Sequence, residues 1–322
     1  MSLTAIKSIV HDELEETKNL IHNRLESQIP LAQEITDYII NSGGKRIRPL
    51  LVLLTAKALG YESFDHIKLA AVIEMMHTAT LLHDDVIDSS ELRRGIKTVN
   101  AEWGNEASVL VGDLLYARTF QILIEIGDLV VMEMIGDATS YIIEGEILQL
   151  MHRTDPETSE QTYLEIIQRK TGRLFAVASS CIAKRQGQSD SVLTSLKQYG
   201  EYVGMAFQMV DDALDYEGDS ELTGKNIGDD LAEGKPTLPL IYLLQYGNET
   251  QRQLITQAFA EPEQADIDNI NRALKQSKAI SYTKHLAQTY IDQAVNCLNC
   301  IPDSEAKRSL EQLAEQAIHR NN

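Results

Sequence analysis

Six aspartates fall into two copies of one pattern, D-D-x-x-D: Asp84, Asp85 and Asp88 in LLHDDVIDSS, and Asp211, Asp212 and Asp215 in QMVDDALDYE. In a helix, residues four apart lie on one face a single turn apart, so Asp84 projects with Asp88 and Asp211 with Asp215. The segments leading into them, AAVIEMMHTATLLH and YVGMAFQMV, have the apolar content of buried helices. Carboxylates crowded at the ends of core elements repel and raise one another's pKa unless a positive charge joins them. A hard divalent cation is the economical partner. Mg²⁺ takes one or two carboxylates and completes its shell with water and phosphate oxygens. One acidic triple is equally well explained as surface charge, but two matched triples in apolar settings are not.

A phosphate-bearing substrate needs donors besides the metal, and they stand next to the acids. SGGKRIRP places Lys45, Arg46 and Arg48 at a glycine-loosened turn entering a helix, where backbone N–H groups and the helix dipole favour anions. ELRRG adds Arg93 and Arg94 just after the first triple. The planar fork of arginine matches phosphate oxygens, whereas lysine acts as a mobile point charge. Lys170 in RKTG, Lys225 in TGKN and Lys235 in EGKP follow along the chain. Each alone reads as a solvated charge. Adjacency to the acids shifts that reading most for Lys45, Arg48, Arg93 and Arg94. His77 by itself reads as a core histidine satisfied by backbone.

The elements that carry these groups are helical. Long stretches show helical rather than alternating periodicity, and 18 glycines with 7 prolines are few for 322 residues. The periodicity predicts an all-α protein, with helices at about 4–26, 30–42, 46–60, 64–89, 104–126, 128–152, 158–187, 190–217, 236–246, 249–260, 264–277, 278–300 and 304–320. Thr158 with Gln161 has the form of a capping box, Asp303 is placed to cap the last helix, and Gly43-Gly44 and Gly60 break their neighbours. No linker rich in Pro, Gly or Ser divides the chain, which predicts one domain over 1–322. The two acidic motifs then belong on facing helices of one bundle, sharing a cleft.

A balance of 48 acidic against 29 basic residues, net −19, argues against a nucleic-acid partner. Three cysteines are too few for a disulfide framework, so a reducing cytoplasm is expected, and Cys297 and Cys300 read as two helical cysteines. The N-terminal segment is too acidic for a leader peptide, and no uninterrupted apolar run has the length of a membrane span.

GGKRIRP, LLHDDVIDSSELRRG, KTGRLF, FQMVDDALDY and GKNIGDDLAEGKPTLP, in that order, resemble the motifs of the trans-isoprenyl diphosphate synthases across nearly the whole chain. Through HTATLLHDDVID, ASVLVGDLLYAR, EGEILQLM and GKNIGDDLAEGKPTLPL, the likeness is closest to the bacterial octaprenyl group. The resemblance implies a homodimeric helical bundle of the isoprenoid synthase type, with a central cleft, an apolar tunnel and three Mg²⁺ per active site. The implied reaction joins isopentenyl diphosphate units, head to tail, onto an allylic diphosphate, farnesyl as primer, to give a long all-trans chain for quinones. Octaprenyl is the expected product, with heptaprenyl, nonaprenyl and shorter chains left open. Carried over by position, Lys45, Arg48, His77 and Arg94 hold the diphosphate of isopentenyl diphosphate. Asp84, Asp85 and Asp88, with Asp211, Asp212 and Asp215 opposite, serve the metals. Arg93, Lys170, Thr171 and Gln208 contact the allylic diphosphate and the developing cation, with Lys225 and Lys235 assisting.

Helical spacing puts Thr80 one turn and Met76 two turns below Asp84, with Ala79 beside that line, so these residues should border the growing chain. Ala79 and Thr80 are small where short-chain relatives place aromatics, and by resemblance Leu123 and Ile135 close the tunnel floor. Three other readings compete. A di-iron bundle needs E-x-x-H on two helices, and only Glu74 to His77 supplies one. A terpene cyclase has no use for a second diphosphate site, and intact motifs argue against a non-catalytic partner subunit.

Overall fold

The computed structural model describes residues 2–217 and 228–318, which are helical almost throughout. The chain packs into two compact units. One comprises residues 1–136, 174–197 and 298–313, and the other 137–173, 198–297 and 314–322.

The first unit is built around α5 (Asp65–Ile87), which follows α1 (Leu3–Ser8), α2 (His11–Leu25), α3 (Pro30–Asn41) and α4 (Ile47–Ala58). Ala70, Ala71, Val72, Ile73, Met75, Met76 and Ala79 are all buried, so over this stretch α5 has no wet stripe. That is the mark of a central helix. α7 (Asn105–Ile126) lies along it most extensively, and α4 and α2 cover its other sides. The helix expected over 4–26 is in fact two, because the chain bends at Ile9–Val10 and so buries both Ile6 and Val10.

α5 ends inside the acidic triple. The Asp88 N–H donates to Asp84 O at 2.8 Å, Ser90 N–H to Asp85 O at 2.9 Å and Ser89 N–H to Val86 O at 3.2 Å. This is a Schellman closure with Ser89, at φ +53°, in the left-handed position that glycine usually takes. A short antiparallel hairpin follows, β1 (Leu92–Arg93) with β2 (Ile96–Lys97), before α6 (Val99–Trp103). Its two-residue turn, Arg94–Gly95, has φ of +55° and +77°, the combination of a type I′ turn. The helix-only expectation missed it. The last helix, α17 (Glu305–Ile318), is capped by Ser304, whose Oγ accepts the Lys307 N–H at 3.0 Å, and not by Asp303. Asp303 instead pairs with the Lys307 ammonium at 2.9 Å.

The boundary between the units falls within α8 (Leu129–Met151). The second unit holds α9 (Glu160–Ile167), a π-helical turn at Gln168–Gly172, and most of α11 (Asp190–Glu217), after α10 (Arg173–Gln186) of the first unit. The helix expected over 158–187 is therefore interrupted. Its cap is Ser159, whose Oγ accepts the Thr162 N–H at 3.1 Å, one residue beyond the expected Thr158. Beyond α12 (Asp229–Ala232) come α13 (Leu238–Tyr246), α14 (Glu249–Ala260), α15 (Ile267–Gln276) and α16 (Ala279–Cys297). They pack on α11 through a core that includes Ala213, Tyr216, Leu240, Leu243, Ile255 and Phe259. α8 meets the π turn at Gly145, where a Cβ would lie 2.7 Å from Arg169 Cβ and 2.9 Å from Lys170 N. Only glycine permits that approach.

Candidate active site

In the first unit Asp84 and Asp88 are half-buried on one face of the end of α5. Asp85 is different. It is 4% exposed, and its Oδ1 accepts from both Nε (2.9 Å) and Nη2 (2.7 Å) of Arg93, while its carbonyl takes Asn100 Nδ2 at 3.2 Å. Arg93 is thereby braced by a buried counter-charge. Arg94 is exposed on the hairpin turn, and its Nη1 donates to Gly43 O at 2.5 Å. A Cβ at Gly44 would stand 2.6 Å from the same nitrogen, so the two-glycine loop fits the guanidinium closely. Lys45 is exposed in that loop, and Arg46 takes a left-handed conformation, φ +52°, at the entry to α4.

Arg48 Nη1 lies 2.9 Å from His77 Nε2. A guanidinium only donates, so Nε2 accepts and the ring proton sits on Nδ1. Desolvation holds His77 well below the usual imidazole range, and the charges of Arg48, Arg93 and Arg94 act in the same sense. Glu74, one turn earlier, is pushed up by desolvation against the pull of Arg48 and its neighbours. Arg48 also stacks over the Phe175 ring, 4.5 Å from its centroid. A cavity of about 110 Å³ opens beside this cluster, with His77, Arg93 and Arg94 next to apolar Ile39, Met75 and Leu82. Of the expected tunnel residues, Met76, Ala79, Leu123 and Ile135 are buried, and half-buried Thr80 donates to His77 O at 2.8 Å.

In the second unit Lys170 and Thr171 occupy the π turn, an irregularity that recurs at functional sites. Lys170 Nζ is 2.5 Å from a Glu146 carboxylate oxygen and donates to Gln149 Oε1 at 2.9 Å, both on α8. Thr171 Oγ1 donates to Gln208 Oε1 at 3.0 Å, and Gln208 Nε2 donates to Asp212 Oδ1 at 2.8 Å. The Tyr163 hydroxyl donates to the other oxygen of Asp212, Oδ2, at 2.6 Å. Asp212, 4% exposed, thus has both carboxylate oxygens bound by protein donors. Desolvation, with the charge of Asp230, pushes Asp212 up to about 7 against those two hydrogen bonds. Asp211 and Asp215 are half-buried, and Asp215 Oδ2 accepts the Asp230 N–H at 3.3 Å. Lys235 pairs with Glu233. Lys225 lies outside the described residues.

Among the described residues, no three carboxylate, imidazole or thiol groups converge into an all-protein metal cage. Mg²⁺ asks for less, one or two carboxylates with water and diphosphate oxygens, and the same-face pairs Asp84/Asp88 and Asp211/Asp215 are donors of that kind.

The polyprenyl synthetase family model matches residues 29–277. The chain belongs to the polyprenyl synthetase family. Octaprenyl diphosphate synthase of Haemophilus influenzae is 42% identical to it, over 100% of this chain and 98% of that one. The all-trans-nonaprenyl-diphosphate synthase (geranyl-diphosphate specific) of Rhodobacter capsulatus is 40% identical, over 93% of this chain and 92% of its own. A crystal structure of a Caulobacter crescentus polyprenyl synthase, complexed with calcium and isoprenyl diphosphate, matches with a TM-score of 0.95 at 38% identity, over 100% of this chain and 98% of that one. This polyprenyl synthetase has the all-α isoprenoid synthase fold. It is a trans-polyprenyl diphosphate synthase of a Mg²⁺-dependent family, condensing isopentenyl diphosphate with an allylic diphosphate.

Four residues at the polyprenyl synthetase motifs escaped the sequence reading. Glu146 and Gln149 stand three apart in EGEILQLM, a spacing that puts both acceptors on one helical face. Asp230 is the second aspartate of the D-D in GKNIGDDLAEGKP. Tyr163 had no local signal at all, since its partner Asp212 is 49 positions away.

Proposed function

We propose that this synthase makes octaprenyl diphosphate from a farnesyl primer, as a homodimer in which the whole chain works as one catalytic domain. The observation that carries the chain length is Ala79, a small and fully buried side chain one turn below the first acidic motif, with Leu123 and Ile135 as the buried floor. Identity to an octaprenyl diphosphate synthase over the full chain supports the same product. Dimerisation is supported by Leu110, Phe120 and Ile124, 67%, 48% and 66% exposed on one side of α7. Large exposed apolar faces of this kind mark association surfaces.

Asp84, Asp88, Asp211 and Asp215 are the carboxylates assigned to Mg²⁺, three ions per site. Bound there, Mg²⁺ would neutralise charge accumulating on the departing diphosphate. Asp85 and Asp212 act one step back, Asp85 by bracing Arg93 and Asp212 by orienting Gln208. Arg93 and Lys170 hold the allylic diphosphate, Lys170 exchanging its Glu146 partner for substrate oxygen, and Lys225 and Lys235 assist. Lys45, Arg48 and Arg94 hold the diphosphate of isopentenyl diphosphate, and neutral His77 donates to it through Nδ1. Gln208 Oε1 and the Thr171 carbonyl present dipoles, not a nucleophile, to the allylic carbon as its C–O bond breaks. The isopentenyl double bond then forms the new C–C bond, and the proton lost from the adduct leaves with the released diphosphate.

Asp84→Ala and Asp211→Ala should each lower turnover roughly a hundredfold or more with helicity intact, since they remove metal ligands and not core packing. Steady-state rates with circular dichroism check this. A near-normal rate in either variant would place the metal elsewhere.

A further inference from the structure

Tyr163 takes no part in the reaction scheme above, yet it is 3% exposed and its hydroxyl is committed to Asp212 Oδ2 at 2.6 Å. A buried phenol and a buried carboxylate are each unfavourable unless bonded, so the pair is a fixed point in α9 and α11. An orientation propagates from it. With the carboxyl held by the phenol at Oδ2, its Oδ1 accepts the Gln208 amide NH₂ at 2.8 Å. That contact turns Gln208 Oε1 the other way, to the Thr171 hydroxyl at 3.0 Å. The carboxyl accepts at both oxygens and the amide has a donor on one side and an acceptor on the other, so holding the carboxyl in place sets which way the amide points. Burial, and then the charge of Asp212, holds Tyr163 well above the ordinary phenol value, so it remains a donor throughout the working range.

We infer that Tyr163 is a positioning residue for the allylic half of the site, fixing the Gln208 amide through Asp212 so that its oxygen and not its NH₂ is presented beside Thr171. The inference rests on the reading that Gln208 and Thr171 face the developing allylic cation. An amide released from this constraint can present its NH₂ instead, a dipole of the wrong sign for a cation.

Tyr163→Phe removes one oxygen and keeps the ring. The expected result is a fall in kcat of roughly ten- to hundredfold, with KM for isopentenyl diphosphate unchanged. The Kd for an allylic thiodiphosphate that resists ionisation should also stay within about twofold, because binding precedes the cation. Asp212→Asn, a second route to the same disruption should the tyrosine variant fold poorly, should show the same split. Adding Tyr163→Phe to Gln208→Leu should change kcat no further, since the tyrosine acts through that amide. Wild-type kcat in Tyr163→Phe, an equal loss in the Gln208→Leu background, or weakened analogue binding would overturn the inference. Wild-type enzyme run alongside separates the two levels: if it elongates and Tyr163→Phe matches it, only the positioning role fails. If wild-type enzyme does not elongate, the functional reading fails and the inference with it.

Discussion

At His77 a single neighbour decides the tautomer, because Arg48 has only protons to offer and Nε2 must accept one, while burial keeps the ring neutral. The consequence is measurable as pH-dependent stability. In the unfolded chain the imidazole titrates near 6.5, and in the folded chain it lies well below that value. Between the two values the unfolded chain takes up a proton that the folded chain refuses, so this site destabilises the fold as pH falls below 6.5 and has no effect above it. Any drop in urea midpoint between pH 7.5 and 5.5 should therefore be smaller in His77→Gln, which donates without titrating, while Asp212, pushed up to about 7, acts in the opposite sense in both proteins. Equal drops would show that His77 is protonated in the fold. The six aspartates were legible from spacing alone, but their division of labour was not. Spacing puts Asp84 with Asp88 and Asp211 with Asp215. It says nothing of Arg93 claiming Asp85, or of Tyr163 and Gln208 claiming Asp212, because those partners are chosen by tertiary packing.

The π turn at Gln168–Gly172 shows what helical periodicity conceals at the scale of elements. Tyr163, Ile166, Ile167, Leu174 and Phe175 are all buried, so the apolar pattern runs on through the irregularity and reads as one helix. Likewise the hairpin at 92–97 has strands of two residues, too short for alternation to register, although Arg94–Gly95 carries the turn signal. Gly145 holds α8 against the π turn, and its substitution tests that contact. Gly145→Ala should cost about 1–3 kcal/mol in denaturant unfolding and lower kcat, because the new Cβ meets Arg169 and the Lys170 backbone. Gly136→Ala on the same helix is the control. Beyond the backbone of its own helix no atom lies within 4 Å of its added Cβ, so it should be neutral or stabilising by up to about 1 kcal/mol. Similar losses in both would assign the effect to the helix and not to the turn.

For the whole molecule, α7 carries two demands on one sequence. Among the described residues it is the one helix long and apolar enough to cross a membrane, although Glu106, Asp113, Arg118 and Glu125 interrupt its apolar run. Leu115, Ile122 and Leu123 are spent on the core, while Leu110, Phe120 and Ile124 remain exposed. Leu110→Glu with Ile124→Glu should convert a dimer to a monomer in light scattering without loss of helicity. A monomeric wild type would refute that use of the face. The fold class and the family motifs were readable because both rest on local pattern; product length is harder because it depends on distance. An isoprene unit spans about 5 Å, so eight need on the order of 40 Å, nearly the length of a 25-residue helix. On that product length the growing prenyl chain would run far below the acidic motif, past Ala79. Chromatography of the products from farnesyl diphosphate, isopentenyl diphosphate and Mg²⁺ tests this most directly, with wild type and Ala79→Tyr side by side. The account predicts about forty carbons from wild type and a stop at about fifteen to twenty from the variant, whose ring fills the channel one turn down. Full-length product from Ala79→Tyr would contradict it.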